Sequence, residues 1–257
     1  MKRLLSAVLL IPIILYAVVW GHPFVFLAVL SAVALLCQYE YAGIVKQYGI
    51  QGPGPLGYGA GLLLLLVPGQ ELAVLVAVAL IALTISASNG HFVKGLPRAA
   101  ALTFGVVYIF GCWKFGVLLR EASPHWLMFT LALNWIGDTA AYYAGRSLGR
   151  HKLAPRVSPS KTWEGTFASV VASVVFGAFY LPHFVPAVTL PAAAGIALIA
   201  NIAGQVGDLA ESALKRGANV KDSSALLPGH GGWLDRVDSS LFSMPVVYAF
   251  LRWLYHA

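Results

Sequence analysis

Long apolar runs, broken by short polar segments, dominate the chain. Nine can be marked, at roughly 4–20, 24–45, 56–67, 71–88, 99–119, 126–145, 165–181, 188–207 and 239–256. Eight of the nine reach at least 17 residues, near the length at which an α-helix crosses about 30 Å of hydrocarbon. The third is shorter, and spans only if the preceding Leu56-Gly57-Tyr58-Gly59-Ala60-Gly61 stretch is helical too. Lipid offers no water to backbone polar groups, so spanning segments are helices or closed barrels. The alternating strands of about ten residues that a barrel needs are absent from the pattern. The pattern predicts an all-α integral membrane protein, a polytopic bundle of about nine transmembrane helices.

Composition and loop charge sharpen this picture. Hydrophobic residues make up 59% of the sequence and charged residues 11%, too few charges to cover a soluble surface. If the N-terminus is cytoplasmic and nine spans follow, 14 of the 17 basic residues fall on the inside. These are Lys2, Arg3, Lys46, Lys94, Arg98, Arg146, Arg150, Lys152, Arg156, Lys161, Lys215, Arg216, Lys221 and Arg236. That bias is the positive-inside pattern. The net charge of +7 is therefore read as topology and contact with anionic headgroups. No soluble stretch is long enough to form a nucleic-acid-binding module. Cys37 and Cys112 lie in apolar runs without a CxxC spacing and read as packing residues. Met1-Lys2-Arg3 and the run behind it lack a small-residue cleavage site, so an uncleaved first span is expected.

The acids are unevenly placed. All five aspartates, Asp138, Asp208, Asp222, Asp235 and Asp238, lie in the second half with Glu164 and Glu211, and the first half has Glu40, Glu71 and Glu121. A single membrane domain, 1–257, is expected, with residues 1–120 mainly apolar scaffold and 121–257 the catalytic part. Four clusters carry candidate chemistry. Asn134, Asp138 and Tyr142 are four apart and share a helix face in the sixth run. They read either as packing polar groups or as cavity-lining residues near a metal or substrate. The Arg146–Gly165 segment holds five basic residues. It ends in Ser158-Pro159-Ser160-Lys161-Thr162-Trp163-Glu164-Gly165, where Ser160 or Thr162 can cap the next helix. Such a helix start beside Lys161 suits an anion, although a topology-setting loop has the same charge. Asn201, Gln205, Asp208, Glu211, Ser212 and Lys215 form a polar stripe on one helix face, which in an apolar span must look into the protein or a cleft.

The fourth cluster, Ser212 to Asp238, is the densest. Pro228-Gly229 and Gly231-Gly232 make a turn whose backbone can approach a ligand closely. Lys215, Arg216, Lys221 and Arg236 can neutralise phosphates. Asp235 and Asp238, three apart, can share a divalent ion, and oxygen-only ligands favour magnesium over zinc. Phosphoryl-type transfer uses this combination of carboxylates and cations.

Residues 212–238 resemble the signature of phosphatidate cytidylyltransferases, also called CDP-diacylglycerol synthases. The pattern is Ser212-x-apolar-Lys215-Arg216, Lys221-Asp222, Pro228-x-His230-Gly231-Gly232 and apolar-x-Asp235-Arg236-apolar-Asp238. The Gly207-Asp208-x-x-Glu211-Ser212 lead-in, the Ser158–Gly165 segment and the Asp138 run also look like this family, while the first 120 residues agree in hydropathy alone. The resemblance implies attack of a phosphatidic acid phosphate on the α-phosphorus of CTP, releasing pyrophosphate. It implies Asp208, Asp235, Lys221, Asp222 and His230 as catalytic residues, with His230 contacting a phosphate or the nucleotide. It implies Lys161, Ser158, Lys215, Arg216, Arg236, Ser212, Gly231 and Gly232 as substrate-binding residues. Magnesium on Asp208, Asp235 and Asp238 is expected, with a monovalent cation such as potassium near the same carboxylates. The expected partners are CTP, phosphatidic acid, membrane lipids and a second copy of the chain in a homodimer; nucleic acid is not expected. The expected location is a bacterial inner membrane with the site on its cytoplasmic side. A transporter using Asp138 and Asp208 is the rival reading, but it leaves the Lys221–Gly232 loop unexplained. The Asp-Gly-x-x-Ala-Arg run of CDP-alcohol phosphotransferases is absent.

Overall fold

The structure, a computed structural model, describes residues 12–88, 92–227, 229 and 231–256. Residues 12–19 are helical. The start of the first apolar run, with the Lys2 and Arg3 that bear on the N-terminal side, lies outside the described residues. The helices that follow are α1 (Pro23–Gln47), α2 (Gly54–Leu66), α3 (Glu71–Ser88) and α4 (Phe92–Gly105). A π-helical turn, Val106–Gly111, leads into α5 (Cys112–Ala122). Then come α6 (Pro124–Ser147), strands β1 (Lys152–Ala154) and β2 (Ser158–Thr162), and helices α7 (Trp163–Phe184), α8 (Leu190–Gly217) and α9 (Leu234–His256).

Among the described residues, four helical stretches are long and apolar enough to cross a membrane: Pro23–Gln47, Val93–Ala122, Trp163–Phe184 and Leu190–Gly217. The run Leu56–Gly61 is helical, as the third segment requires, but α2 has 13 residues. At 1.5 Å per residue it is about 20 Å long, short of the hydrocarbon thickness. Three boundaries move relative to the hydropathy pattern. The helix of the fifth run starts at Phe92 and α9 starts at Leu234, while α8 continues to Gly217. Hydropathy marks where apolar side chains stop; the helix continues wherever its backbone groups find partners. At the end of α8, Asn219 takes a left-handed φ of 57°, and the Val220 amide donates to Lys215 O at 3.0 Å, closing the helix in the manner of a Schellman turn.

The hairpin is a departure from an all-α chain. Its strands pair antiparallel, with Lys152 opposite Thr162 and Ala154 opposite Ser158. No alternation of apolar and polar residues announces it, since the segment is basic and contains Pro155 and Pro159. It is closed instead by the Val157 amide on Ala154 O at 3.2 Å and by its position next to a capped helix.

The described chain divides into two compact units, Met1–Val117 with Leu214–Arg236, and Leu118–Ala213 with Val237–Ala257. The first is apolar inside, with Leu30, Ala34, Ile44, Leu64, Leu65, Ile109 and Phe110 buried. Its buried Lys114 meets Glu71 at 3.2 Å and donates to Leu65 O at 3.3 Å, which satisfies a lysine that hydropathy places within a span. Tyr48 Oη donates to Leu214 O at 2.7 Å, tying α1 to the end of α8.

The second unit is held by small and polar residues where its helices cross. Asn201 Nδ2 donates to Ser169 Oγ at 3.0 Å and Ser173 Oγ at 2.9 Å. Asn134 Nδ2 donates to Thr130 O at 3.0 Å and Ser240 Oγ at 3.3 Å. Ser243 Oγ lies within donating distance of Asn134 Oδ1 at 3.3 Å and Ala200 O at 2.9 Å. In an apolar surrounding such bonds join helices that lipid would not push together. Gly137 makes room for this knot. A Cβ there would sit 2.7 Å from both Asn201 Nδ2 and Ser169 Oγ. Gly137→Ala is therefore expected to lower the melting temperature of the detergent-solubilised protein, through an overpacking cost of about 1–3 kcal/mol. Gly195→Ala, where a Cβ meets nothing within 4 Å, is expected to leave it unchanged or slightly raised.

Candidate active site

In the first unit, the segment between α8 and α9 folds around two carboxylates. Asp235, in the first turn of α9, accepts from the Gly232 amide at 2.8 Å, the Ser223 amide at 3.0 Å and Ser223 Oγ at 3.1 Å. It also forms a close ion pair with Lys215 Nζ. Both side chains are nearly covered, at 9% exposure for Lys215 and 6% for Asp235. Burial pushes the Asp235 carboxyl upward. The Lys215 hydrogen bond, the Gly232 amide, the Lys215 charge and the Ser223 amide outweigh it, so the group sits below the ordinary carboxylate range.

The second carboxylate is Glu40, on α1 and 1% exposed. It accepts from Ser223 Oγ at 2.9 Å, Ser224 Oγ at 2.6 Å, the Trp233 amide at 2.9 Å and the Leu234 amide at 2.7 Å. The last two are amides at the start of α9, which no carbonyl of its own helix can satisfy. Gly231 holds a left-handed φ of 79°, and a Cβ on it would come 2.6 Å from Asp235 Oδ2. A Cβ on Gly232 would strike both Ser223 Oγ and the Glu40 carboxylate. The Gly-Gly pair is required where the chain passes between these acids. Leu227 and Gly231 pair across the turn, with Leu227 N on Gly231 O at 2.9 Å. Lys221, Asp222, Arg216 and Arg236 are exposed around it, and Arg216 Nη1 donates to Val220 O at 3.2 Å. His230 and Pro228 lie outside the described residues.

The second unit carries a different group. Asp208 on α8 pairs with Lys161 of β2 at 2.6 Å and accepts from Ser212 Oγ at 3.3 Å. Asp238 is buried, accepts from the Ser239 amide at 2.7 Å, and lies within electrostatic reach of Asp208, Glu211 and Asp138. Glu211 is 1% exposed and Asp138 exposed. Lys161 thus meets one acid, Asp208, of this group. Ser158 sits half-buried at the start of the same strand. Thr162 caps α7, its Oγ1 accepting from the Gly165 amide at 3.2 Å. Glu164 accepts from His151 Nδ1 at 2.7 Å. The polar stripe of α8 is a continuous helix face, with Gln205 Nε2 on Asn201 Oδ1 at 2.6 Å.

The structure thus gathers Lys215, Gly231, Gly232 and Asp235 in the first unit, and Lys161, Asp208, Ser212 and Asp238 in the second. Among the described residues, no three His, Cys, Asp or Glu side chains form a group that could hold a metal ion. Sequence reasoning passed over Glu40, Ser223 and Ser224. The signal for Glu40 was an isolated carboxylate inside an apolar run, which needs a partner.

A family model described as the cytidylyltransferase family matches residues 1–254. A protein of Bacillus subtilis (strain 168) named phosphatidate cytidylyltransferase is 33% identical, over 97% of this chain and 97% of its own length. One of the same name from Staphylococcus aureus (strain COL) is 31% identical, over 84% of this chain and 86% of its own. A third, from Brucella suis biovar 1 (strain 1330), is 39% identical over 60% of this chain and 67% of its own.

The Asp235 environment predicts a pH dependence. A carboxyl held below its unfolded value adds stability that is full above that value, near pH 4. This stability is lost as pH falls through the lower folded value. Lys215→Met removes the charge that holds Asp235 down and leaves a covered carboxylate unpaired, at a cost of about 3–5 kcal/mol near neutral pH. Detergent melting curves from pH 3 to 8 are expected to show the stability gap between wild type and variant narrowing as pH falls below about 4, because the variant has less Asp235 stabilisation to lose. Coincident profiles would contradict this.

Proposed function

The chain belongs to the cytidylyltransferase family, and from that premise we propose that it joins CTP to phosphatidic acid, giving CDP-diacylglycerol and pyrophosphate. The chain is a nucleotidyltransferase of the membrane. The observation that carries the specific reading is the Ser212–Asp238 motif, whose Lys215, Gly232 and Asp235 are folded into one polar turn. Three relatives bearing the name phosphatidate cytidylyltransferase support the choice of substrates.

In the proposed reaction a phosphate oxygen of phosphatidic acid forms a bond to the α-phosphorus of CTP. The bond from that phosphorus to the bridging oxygen of the β-phosphate breaks, and pyrophosphate leaves with the electron pair. The attacking phosphate is already ionised at neutral pH, so no side chain needs to remove a proton. The exposed Lys221, Arg216 and Arg236 offer positive charge to the nucleotide phosphates. Gly231 and Gly232, proposed substrate-binding residues, let the turn close on Asp235, Ser223 and Glu40 without a Cβ in the way. Lys161 and Ser158 offer the second unit's contacts to phosphate. Asp222 orients Lys221 or a metal-bound water, and His230 contacts phosphate or nucleotide.

Magnesium is part of the proposal, with a monovalent cation such as potassium as a companion; of its expected ligands, Asp208 and Asp238 lie in the second unit and Asp235 in the first. All are oxygen donors, which suits a hard ion. The Asp235 oxygens are engaged by Lys215, Gly232 and Ser223, so that carboxylate has to exchange partners to take one. When bound, the ion would neutralise charge on the nucleotide phosphates. A bacterial inner membrane, a cytoplasmic-facing site and a homodimer complete the proposal.

The test is pyrophosphate release by purified protein in detergent with CTP, phosphatidic acid and magnesium, beside Asp235→Asn. Release is expected to need all three components and to fall at least about 100-fold in the variant. No release across lipid and cation conditions would sink the reading. Unchanged release in Asp235→Asn would keep the activity and remove Asp235 from the site.

A further inference from the structure

We propose that Glu40, in the apolar scaffold of α1, is a positioning residue for the nucleotide-binding turn. The proposal rests on the cytidylyltransferase reading above. Glu40 is separated by more than 180 residues from every group it binds in that turn. A carboxylate taken out of water loses far more hydration than a neutral side chain does. In return it receives two hydroxyls and two backbone amides, one pair on each oxygen: Ser224 and Trp233 on Oε1, Ser223 and Leu234 on Oε2.

The arrangement fixes both ends of the turn at once. Ser223 and Ser224 follow Lys221-Asp222, and Trp233 and Leu234 follow Gly231-Gly232. Ser223 Oγ is shared, lying 2.9 Å from Glu40 Oε2 and 3.1 Å from Asp235 Oδ2. The Ser223 amide and the Gly232 amide then face Asp235. Glu40 therefore acts on Asp235 and the glycine pair through the chain that carries them, without itself standing among the exposed basic residues. It also closes the start of α9 from outside, in the place of a side-chain cap. A purely packing role would be served by any side chain of its volume. This geometry needs two acceptor oxygens, and Gln supplies one.

The test compares Glu40→Gln, and separately the double variant Ser223→Ala/Ser224→Ala, with wild type. Activity is measured at saturating CTP and phosphatidic acid and divided by the folded fraction. Backbone amide exchange over residues 223–234 is followed without substrate. The expected result is a fall in kcat on the order of 10- to 100-fold per folded enzyme, the size that losing buried charge-assisted hydrogen bonds gives. Amide exchange is expected to quicken at Trp233 and Leu234, with the melting temperature lowered in both variants, an effect that dividing by the folded fraction removes from kcat. Wild-type kcat per folded molecule in both variants, or unchanged exchange, would overturn the proposal. If wild-type protein itself fails to turn over CTP, the substrate reading falls, and the exchange measurement still decides the role of Glu40.

Discussion

A carboxylate buried in an apolar helix has to be given hydrogen-bond donors, and the fold of the first unit follows from how this chain supplies them to Glu40. The donors are two serine hydroxyls and two amides from a turn far along the sequence. That turn has no apolar core of its own, being mostly exposed or half-exposed. Its shape comes from the acids it wraps, Glu40 on one side and Asp235 on the other. Lys215 then balances Asp235, leaving Lys221, Arg216 and Arg236 on the outside. A segment rich in glycine, serine and charge thus holds one conformation where its composition alone would suggest a loose loop.

The second unit answers the same constraint by different means. Neutral amides and hydroxyls, Asn134, Asn201, Ser169, Ser173 and Ser243, satisfy one another across its helix crossings. Where the charge density rises, Asp238 lies within the fields of Asp208, Glu211 and Asp138, and Lys161 meets Asp208. Carboxylates within reach of one another raise the local affinity for cations. This is the electrostatic ground on which magnesium enters the functional proposal.

Much of this was legible in the sequence. The alternation of apolar runs and basic segments predicted a helical membrane protein, and the polar stripe from Asn201 to Lys215 is one face of α8 because 3.6-residue periodicity is a local property. Thr162 is the α7 cap for the same reason. The dense Ser212–Asp238 motif marked the turn that the structure folds tightly. Other features depend on contacts that no local pattern carries. The hairpin at Lys152–Thr162 has no strand alternation to reveal it. The start of α9 at Leu234 depends on amides satisfied by a residue in α1. Glu40 itself stood in a segment read as scaffold, and its partners are serines that looked like spacers within the motif.

The account centres on transfer of a cytidylyl group to a lipid phosphate. Supplying the purified protein with phosphatidic acid, magnesium and CTP labelled at the α-phosphorus tests it most directly. Label is expected to move into the organic-solvent-extractable lipid, and label placed at the γ-phosphorus to leave as pyrophosphate. If the α-label stays in the aqueous phase while the γ-label is released as inorganic phosphate, the protein is a nucleotide hydrolase, and the transfer chemistry is contradicted.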